Sequence, residues 1–132
     1  MIGIVVVTHG RVAEELVNAA RTIVGEIPSI AAVSIGWSDD PAAAGAAIEK
    51  GIAEAGGGDV LVLTDMFGGT PTNLSLPYLS DRVEIVTGVS LPMVIKASSL
   101  REGALVEVAR AVREQGKGAI HVASELLARR PA

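Results

Sequence analysis

Hydrophobic positions along the chain fall into short unbroken runs with helical stripes between them. Apolar runs recur at Ile2–Val7, Ile30–Ile35, Val60–Leu63, Val83–Val86 and Ala119–Val122. Runs without polar alternation predict strands buried on both faces of a sheet. Val12, Leu16, Ala19 and Ile23 fall at helical spacing, and Gly25 can end that helix. Pro41 opens a second helix where proline is tolerated, Ile48, Ile52 and Ala55 mark its inner stripe, and Gly56-Gly57-Gly58 stops it. Leu105, Val108, Ala109 and Val112 stripe a last clear helix that ends near Gly116. The alternation predicts an α/β fold with a mainly parallel sheet and right-handed crossovers. The last run is short and follows Gly116-Lys117-Gly118. It reads as an edge strand, open to antiparallel pairing and to donation to a neighbour. Residues 123–132, with Arg129-Arg130-Pro131, read as a tail, either loose or a short helix.

A length of 132 residues suits one domain, with its core in 1–122. Hydrophobic residues make up 49% of the chain but aromatics only 2%, so Val, Ile, Leu and Ala must build the core. That bias agrees with parallel strands under alanine-rich helices. The mean hydropathy of +0.46 raises the question of a membrane. No continuous apolar run approaches the roughly 18 residues a span needs, and Met1–Val7 lacks the basic start and cleavage pattern of a signal peptide. The expectation is a soluble cytoplasmic protein without membrane insertion. A net charge of −4 argues against a nucleic-acid partner. The absence of cysteine removes disulfides, thiolate metal sites and thiol catalysis.

Candidate chemistry gathers at strand ends. His9 follows the first apolar run and precedes Gly10, placing an imidazole where open α/β sheets bind ligands. Asp65 follows Val60–Leu63 in the same way. If the two strands are neighbours, Asp65 either bonds one ring nitrogen of His9, leaving the other free as a nucleophile, or only caps its own turn. Gly68-Gly69-Thr70-Pro71 reads as a turn into a helix, with Thr70 as N-cap and Pro71 in the first helical position. A helix start of that kind favours an anion such as phosphate, although glycines in an ordinary strand-to-helix turn are common. Ser90-Leu91-Pro92 reads as a further cap near the same edge. Trp37 and Phe67, two of three aromatics, either rim the site for a protein partner or cover the end of the core. Asp39-Asp40 precedes Pro41 and reads as a helix start rather than a metal pocket. The glycines fit neither a P-loop nor a dinucleotide fingerprint. His121 reads as a strand residue, and no zinc spacing exists. No metal and no cofactor are expected.

Ile4-Val5-Val6-Val7-Thr8-His9-Gly10 together with Asp65-Met66-Phe67-Gly68-Gly69-Thr70-Pro71-Thr72-Asn73 resembles the mannose-type enzyme IIA of the bacterial phosphoenolpyruvate:sugar phosphotransferase system (PTS). Gly88-Val89-Ser90-Leu91-Pro92-Met93 resembles a third segment of that family, and the likeness runs from the first strand to the last. The resemblance implies a three-layer open sheet in order 2-1-3-4 with a C-terminal antiparallel edge strand exchanged in a homodimer. It implies that His9 takes a phosphoryl group on Nε2 from the phosphocarrier protein HPr, that Asp65 bonds Nδ1, and that Gly68, Gly69 and Thr70 cradle the phosphate. The group then passes to an EIIB component, expected on a separate chain because no IIB domain is fused here. Family members often carry an aromatic in place of Thr72 and an asparagine in place of Ser90. Both differences touch the partner rim or a helix start. Two other readings stay open. One is the phosphotransferase subunit of a dihydroxyacetone kinase, against which Gly-Gly-Thr-Pro-x-Asn argues. The other is a regulatory protein whose phosphorylated and unphosphorylated forms bind different partners.

Overall fold

The computed structural model describes residues 1–128. Four strands, β1 (Gly3–His9), β2 (Ile30–Ile35), β3 (Val60–Thr64) and β4 (Val83–Val86), form one parallel sheet in the order β2-β1-β3-β4. The helices are α1 (Val12–Val24), α2 (Pro41–Glu54), α3 (Thr70–Ser75), α4 (Leu91–Ser99), α5 (Leu105–Gly118) and α6 (Ala123–Leu127). No helix among the described residues is long and apolar enough to cross a membrane.

Alternate residues of each strand feed two cores, because side chains alternate across a sheet. Ile4, Val6, Leu61 and Leu63 pack against α1, α4 and α5. Val5, Val7, Val60 and Val62 pack against α2 and the segment that follows α3. The result is three layers, with β1 and β3 buried almost completely at the centre.

The inner face of α1 differs from the expected one. Ala13, Val17 and Ala20 are buried, while Val12 and Ile23 are exposed. Both stripes have helical spacing, but two alanines let the helix approach the sheet closely, and branched side chains at those positions would hold it off. The stripe on α5 is the expected one, Leu105, Val108, Ala109 and Val112.

The expected fifth strand at Ala119–Val122 is not formed in this chain. Helix α5 continues through Gly116 to Gly118, and residues 119–122 are irregular, with 120–122 exposed, before α6 begins. His121 accordingly lies in an exposed connection, not in a strand. A strand exists only where a neighbour completes its ladder, and no sheet edge of the same chain meets this segment. Gly116 is not a terminator. A Cβ there would stand 2.5 Å from Met93 Sδ, so the missing side chain lets α5 lie close on α4. The tail residues Arg129-Arg130-Pro131 lie outside the described residues.

Arg101, between α4 and α5, is buried against the opposite end of the sheet from His9. Its Nε donates to the carbonyl of Ile2 (2.8 Å) and Nη2 to that of Ser29 (2.8 Å), while Nη1 donates to the carbonyl of Pro28. The guanidinium thus ties the entrances of β1 and β2 to the α4–α5 connection.

Two glycines in helices should behave oppositely. Gly116→Val is expected to lower stability by about 1–3 kcal/mol through overpacking against Met93. Gly45→Ala, in α2 with open space around it, is expected to raise it by roughly 0.5–1 kcal/mol. Urea denaturation of both variants checks this, and a stabilised Gly116→Val would contradict the close packing of α4 and α5.

Candidate functional site

Strand order puts the site where it is. From β1 the chain goes first to β2 on one side and then, through α2, to β3 on the other. The connections therefore diverge from the carboxyl ends of β1 and β3, leaving a crevice at the switch point. Val7 pairs with Thr64 across those strands. His9, the last residue of β1, and Asp65, the residue after β3, face one another across the crevice.

Asp65 Oδ2 accepts two hydrogen bonds from the same residue, from the His9 backbone N–H at 2.9 Å and from ring Nδ1 at 2.8 Å. Its other oxygen accepts the Met66 N–H at 3.0 Å. Both side chains are only about one-fifth exposed (22% and 20%). Burial by itself would push the Asp65 carboxyl up, but the His9 N–H, the ring bond, electrostatic attraction to the His9 ring and the Met66 N–H together hold it below its ordinary value. An ionised carboxylate is an acceptor only, so it fixes the ring proton on Nδ1 and leaves the Nε2 lone pair free.

Gly69 lies against that free side of the ring. A Cβ at Gly69 would come within 3.2 Å of Nε2 and 2.7 Å of Cε1. Gly68, just before it, has φ of +88°, a value that favours glycine. Gly69, rather than Thr70, is the N-cap of α3, and Thr70 and Pro71 are its first helical residues. The Asn73 side chain donates back to the Gly68 carbonyl at 3.3 Å, and the Asn73 N–H donates to that of Gly69 at 2.9 Å, closing the turn.

The chain belongs to the mannose-type PTS IIA family. The family model described as "PTS system fructose IIA component" matches residues 3–113. The mannose-specific EIIAB component of Escherichia coli K12 is 33% identical over 109 residues, covering 76% of this chain and 32% of that protein. The fructose-specific EIIA component of Bacillus subtilis is 35% identical over 72 residues, covering 52% of this chain and 49% of that protein. The chain therefore spans about a third to half the length of these curated relatives. A mannose/sorbose-specific IIA subunit from Enterococcus faecalis superposes with a TM-score of 0.85 at 30% identity, covering 92% of this chain and 93% of that one. The parallel sheet in order 2-1-3-4 accords with that solved IIA structure.

The remaining residues singled out in the sequence divide into two groups. Trp37 (82% exposed) and Phe67 (72% exposed) stand at the mouth of the crevice with Met66, also exposed. Trp37 stacks directly on the His9 ring, a contact the sequence did not indicate. Thr72 does not rim the site. Thr72 is fully buried, where its hydroxyl donates to the Met66 carbonyl at 2.6 Å and accepts from the Thr64 hydroxyl at 2.7 Å. That bridge ties the end of β3 to α3 and holds the Asp65–Gly69 loop from below. Ser90 is the N-cap residue of α4 as expected, but its Oγ is buried and makes no hydrogen bond among the described residues.

The sequence reading also missed Thr8. Its buried Oγ1 accepts the Ala13 N–H at 2.6 Å, satisfying one free donor at the start of α1. A hydroxyl at the end of an apolar run, five residues before the partner amide, was the available signal. Asp39-Asp40 precedes α2 as expected, with Asp40 as N-cap. No group of three or more His, Asp or Glu side chains among the described residues is placed to hold a metal ion.

A carboxyl with a depressed pKa binds fewer protons in the folded than in the unfolded chain. Its stabilising effect is complete above the ordinary aspartate range, about pH 4, and is lost as pH falls through the folded-state value. Asp65→Asn is therefore expected to lower the urea midpoint at neutral pH, with the gap to wild type narrowing below about pH 4. A gap of constant size across that range would mean the carboxylate charge contributes nothing to the fold.

Proposed function

We propose that this chain is a phosphocarrier of the PTS, in which His9 accepts a phosphoryl group on Nε2 from phospho-HPr and passes it to an EIIB component. The observation that carries the reading is the imidazole anchored through Nδ1 by Asp65 with its Nε2 side against a side-chain-free Gly69. Membership of the family supplies the reaction class. In the first step the Nε2 lone pair forms a bond to phosphorus as the phosphorus–nitrogen bond to HPr's histidine breaks. The departing imidazole takes the electron pair. Transfer to EIIB repeats the exchange with His9 as the leaving group.

Phosphoryl transfer asks for alignment and charge stabilisation rather than covalent assistance. Asp65 aligns the ring and balances the positive charge that develops on it once Nε2 carries the phosphoryl group. Backbone N–H groups of Gly68, Gly69 and Thr70 line the place where the phosphoryl oxygens would lie. The Gly68-Gly69-Thr70 turn itself carries neither lysine nor arginine, so within it the phosphoryl oxygens would meet backbone donors rather than a fixed cation, which suits a relay. Trp37, Met66 and Phe67 provide an apolar collar that a partner protein can cover.

Incubation with phosphoenolpyruvate, enzyme I and HPr is expected to place an acid-labile phosphoryl group on His9. His9→Ala should abolish the label, and Asp65→Asn should slow its appearance through loss of tautomer control. Label retained by His9→Ala would reject the assignment.

We further propose that the chain works as a homodimer built by exchange of its C-terminal segment. Among the described residues the outer edge of β4 carries only an antiparallel bridge between Ser80 and Val83, and beside it Leu76, Leu79, Val86 and Val106 line an open groove of about 490 Å³. Ile120, Val122, Leu126 and Leu127 are exposed on the C-terminal segment, which joins no strand among the described residues. Removal of residues 119–132 is expected to convert a dimer to a monomer in light scattering. A truncated chain that stays dimeric would exclude exchange.

A further inference from the structure

Trp37 is a large apolar side chain held out in solvent, yet it is not loosely placed. Its ring centroid lies 5.3 Å from that of His9, with the planes 17° apart. Strand register brings it there. His9 pairs with Ile35, and the Gly10 N–H extends the ladder by donating to the Ile35 carbonyl at 2.7 Å. Two residues beyond Ile35, the indole folds over both His9 and Gly10, and a Cβ on Gly10 would sit 3.5 Å from the indole Nε1.

The loop that carries Trp37 is itself locked. The Asp39 carboxylate accepts the Gly36 N–H at 2.7 Å, and the Asp39 N–H donates to the Gly36 carbonyl at 3.2 Å. A Cβ on Gly36 would lie 2.6 Å from Asp39 Oδ1, so a side chain there would displace the carboxylate that closes this turn. Asp39 contacts neither ring directly, but it holds the backbone from which the indole reaches the imidazole.

We infer that Trp37 is a positioning residue for phosphoryl transfer, holding the plane of the His9 ring so that the Nε2 lone pair points at incoming phosphorus. The inference rests on the phosphocarrier reading above. Asp65 fixes one edge of the imidazole but leaves it free to tilt about the Nδ1 contact, and the stacked indole opposes that tilt. The lone pair lies in the ring plane, so a tilted ring misses the line of attack. When Nε2 carries the phosphoryl group and Nδ1 keeps its proton, the ring gains positive charge, and the indole face favours that state as well.

The test separates positioning from docking by using a donor too small to dock. With phosphoramidate, Nε2 attacks phosphorus, the phosphorus–nitrogen bond breaks, and ammonia leaves with the electron pair. Trp37→Ala is expected to slow His9 labelling by about three- to tenfold, the range that loss of one aromatic stack corresponds to, and Trp37→Phe should restore most of the rate. Asp39→Ala should slow labelling in the same direction by freeing the loop. With phospho-HPr as donor the loss should appear in kcat as well as KM. Equal phosphoramidate rates for wild type and Trp37→Ala would overturn the inference and leave Trp37 as a contact surface only. The stack has its own readout in the upfield ring-current shift of the His9 Cε1 proton, expected in wild type and Trp37→Phe and absent from Trp37→Ala. If phosphoramidate labels His9 in a Trp37-dependent way while phospho-HPr never does, the phosphocarrier reading fails and the positioning of the ring stands.

Discussion

The structure turns on one oxygen atom. Asp65 Oδ2 accepts both the backbone N–H and the ring Nδ1 of His9, and so joins the ends of two strands that no tight turn connects. A single acceptor sets where the histidine backbone ends, which tautomer the ring adopts, and which nitrogen is left to react. Such a contact is available only if β1 and β3 are neighbours in the register observed. The parallel sheet is therefore part of the site rather than a support beneath it. Burial opposes the charge on Asp65 and the bonds from His9 and Met66 more than offset that opposition. The carboxylate is held in place by the same residue it orients.

Around that contact the site is assembled from small constraints of different kinds. A hydroxyl chain from Thr64 through Thr72 to the Met66 carbonyl supports the loop after β3. Thr8 performs the equivalent service for α1 after β1. Gly69 contributes by lacking a side chain, and Trp37 by placing one over the ring. The rigid parts lie beneath the imidazole and the exposed apolar parts stand around its mouth, as suits a group that must be fixed in geometry yet open to a protein partner.

Much of this was legible in the sequence, for identifiable reasons. The four parallel strands are dense in Val, Ile and Leu, and each is closed by glycine, proline or a short polar residue. His9 and Asp65 could be picked out because both follow buried strands directly. What could not be read depended on distances along the chain or on competition between equal patterns. Helix α1 carries two apolar stripes one residue apart, and only its approach to the sheet selects Ala13, Val17 and Ala20. Thr72 was expected at the partner rim or a helix start, and its burial goes with a hydrogen bond to Thr64 that spacing does not announce. Gly116 looked like a helix stop because a close helix contact and a terminator have the same residue type. The run Ala119–Val122 has the composition of a strand, but a strand also needs an edge to pair with, and composition says nothing about where that edge is.

Arg101 carries a consequence for how the chain is made. Its guanidinium closes on the carbonyls of Ile2, Pro28 and Ser29, so the clamp spans 99 residues of sequence at its widest. The first strand synthesised is one of the two innermost, and its second inner neighbour, β3, arrives only after α2 has formed. Non-local pairing of this kind slows folding, because chain entropy must be spent before the contacts form. On the ribosome β1 waits with one flank bare until β3 emerges, and its entrance stays unfastened until residue 101 is free of the exit tunnel. A strand destined for the buried centre of the sheet is thus left partly uncovered while much of the chain is still being made.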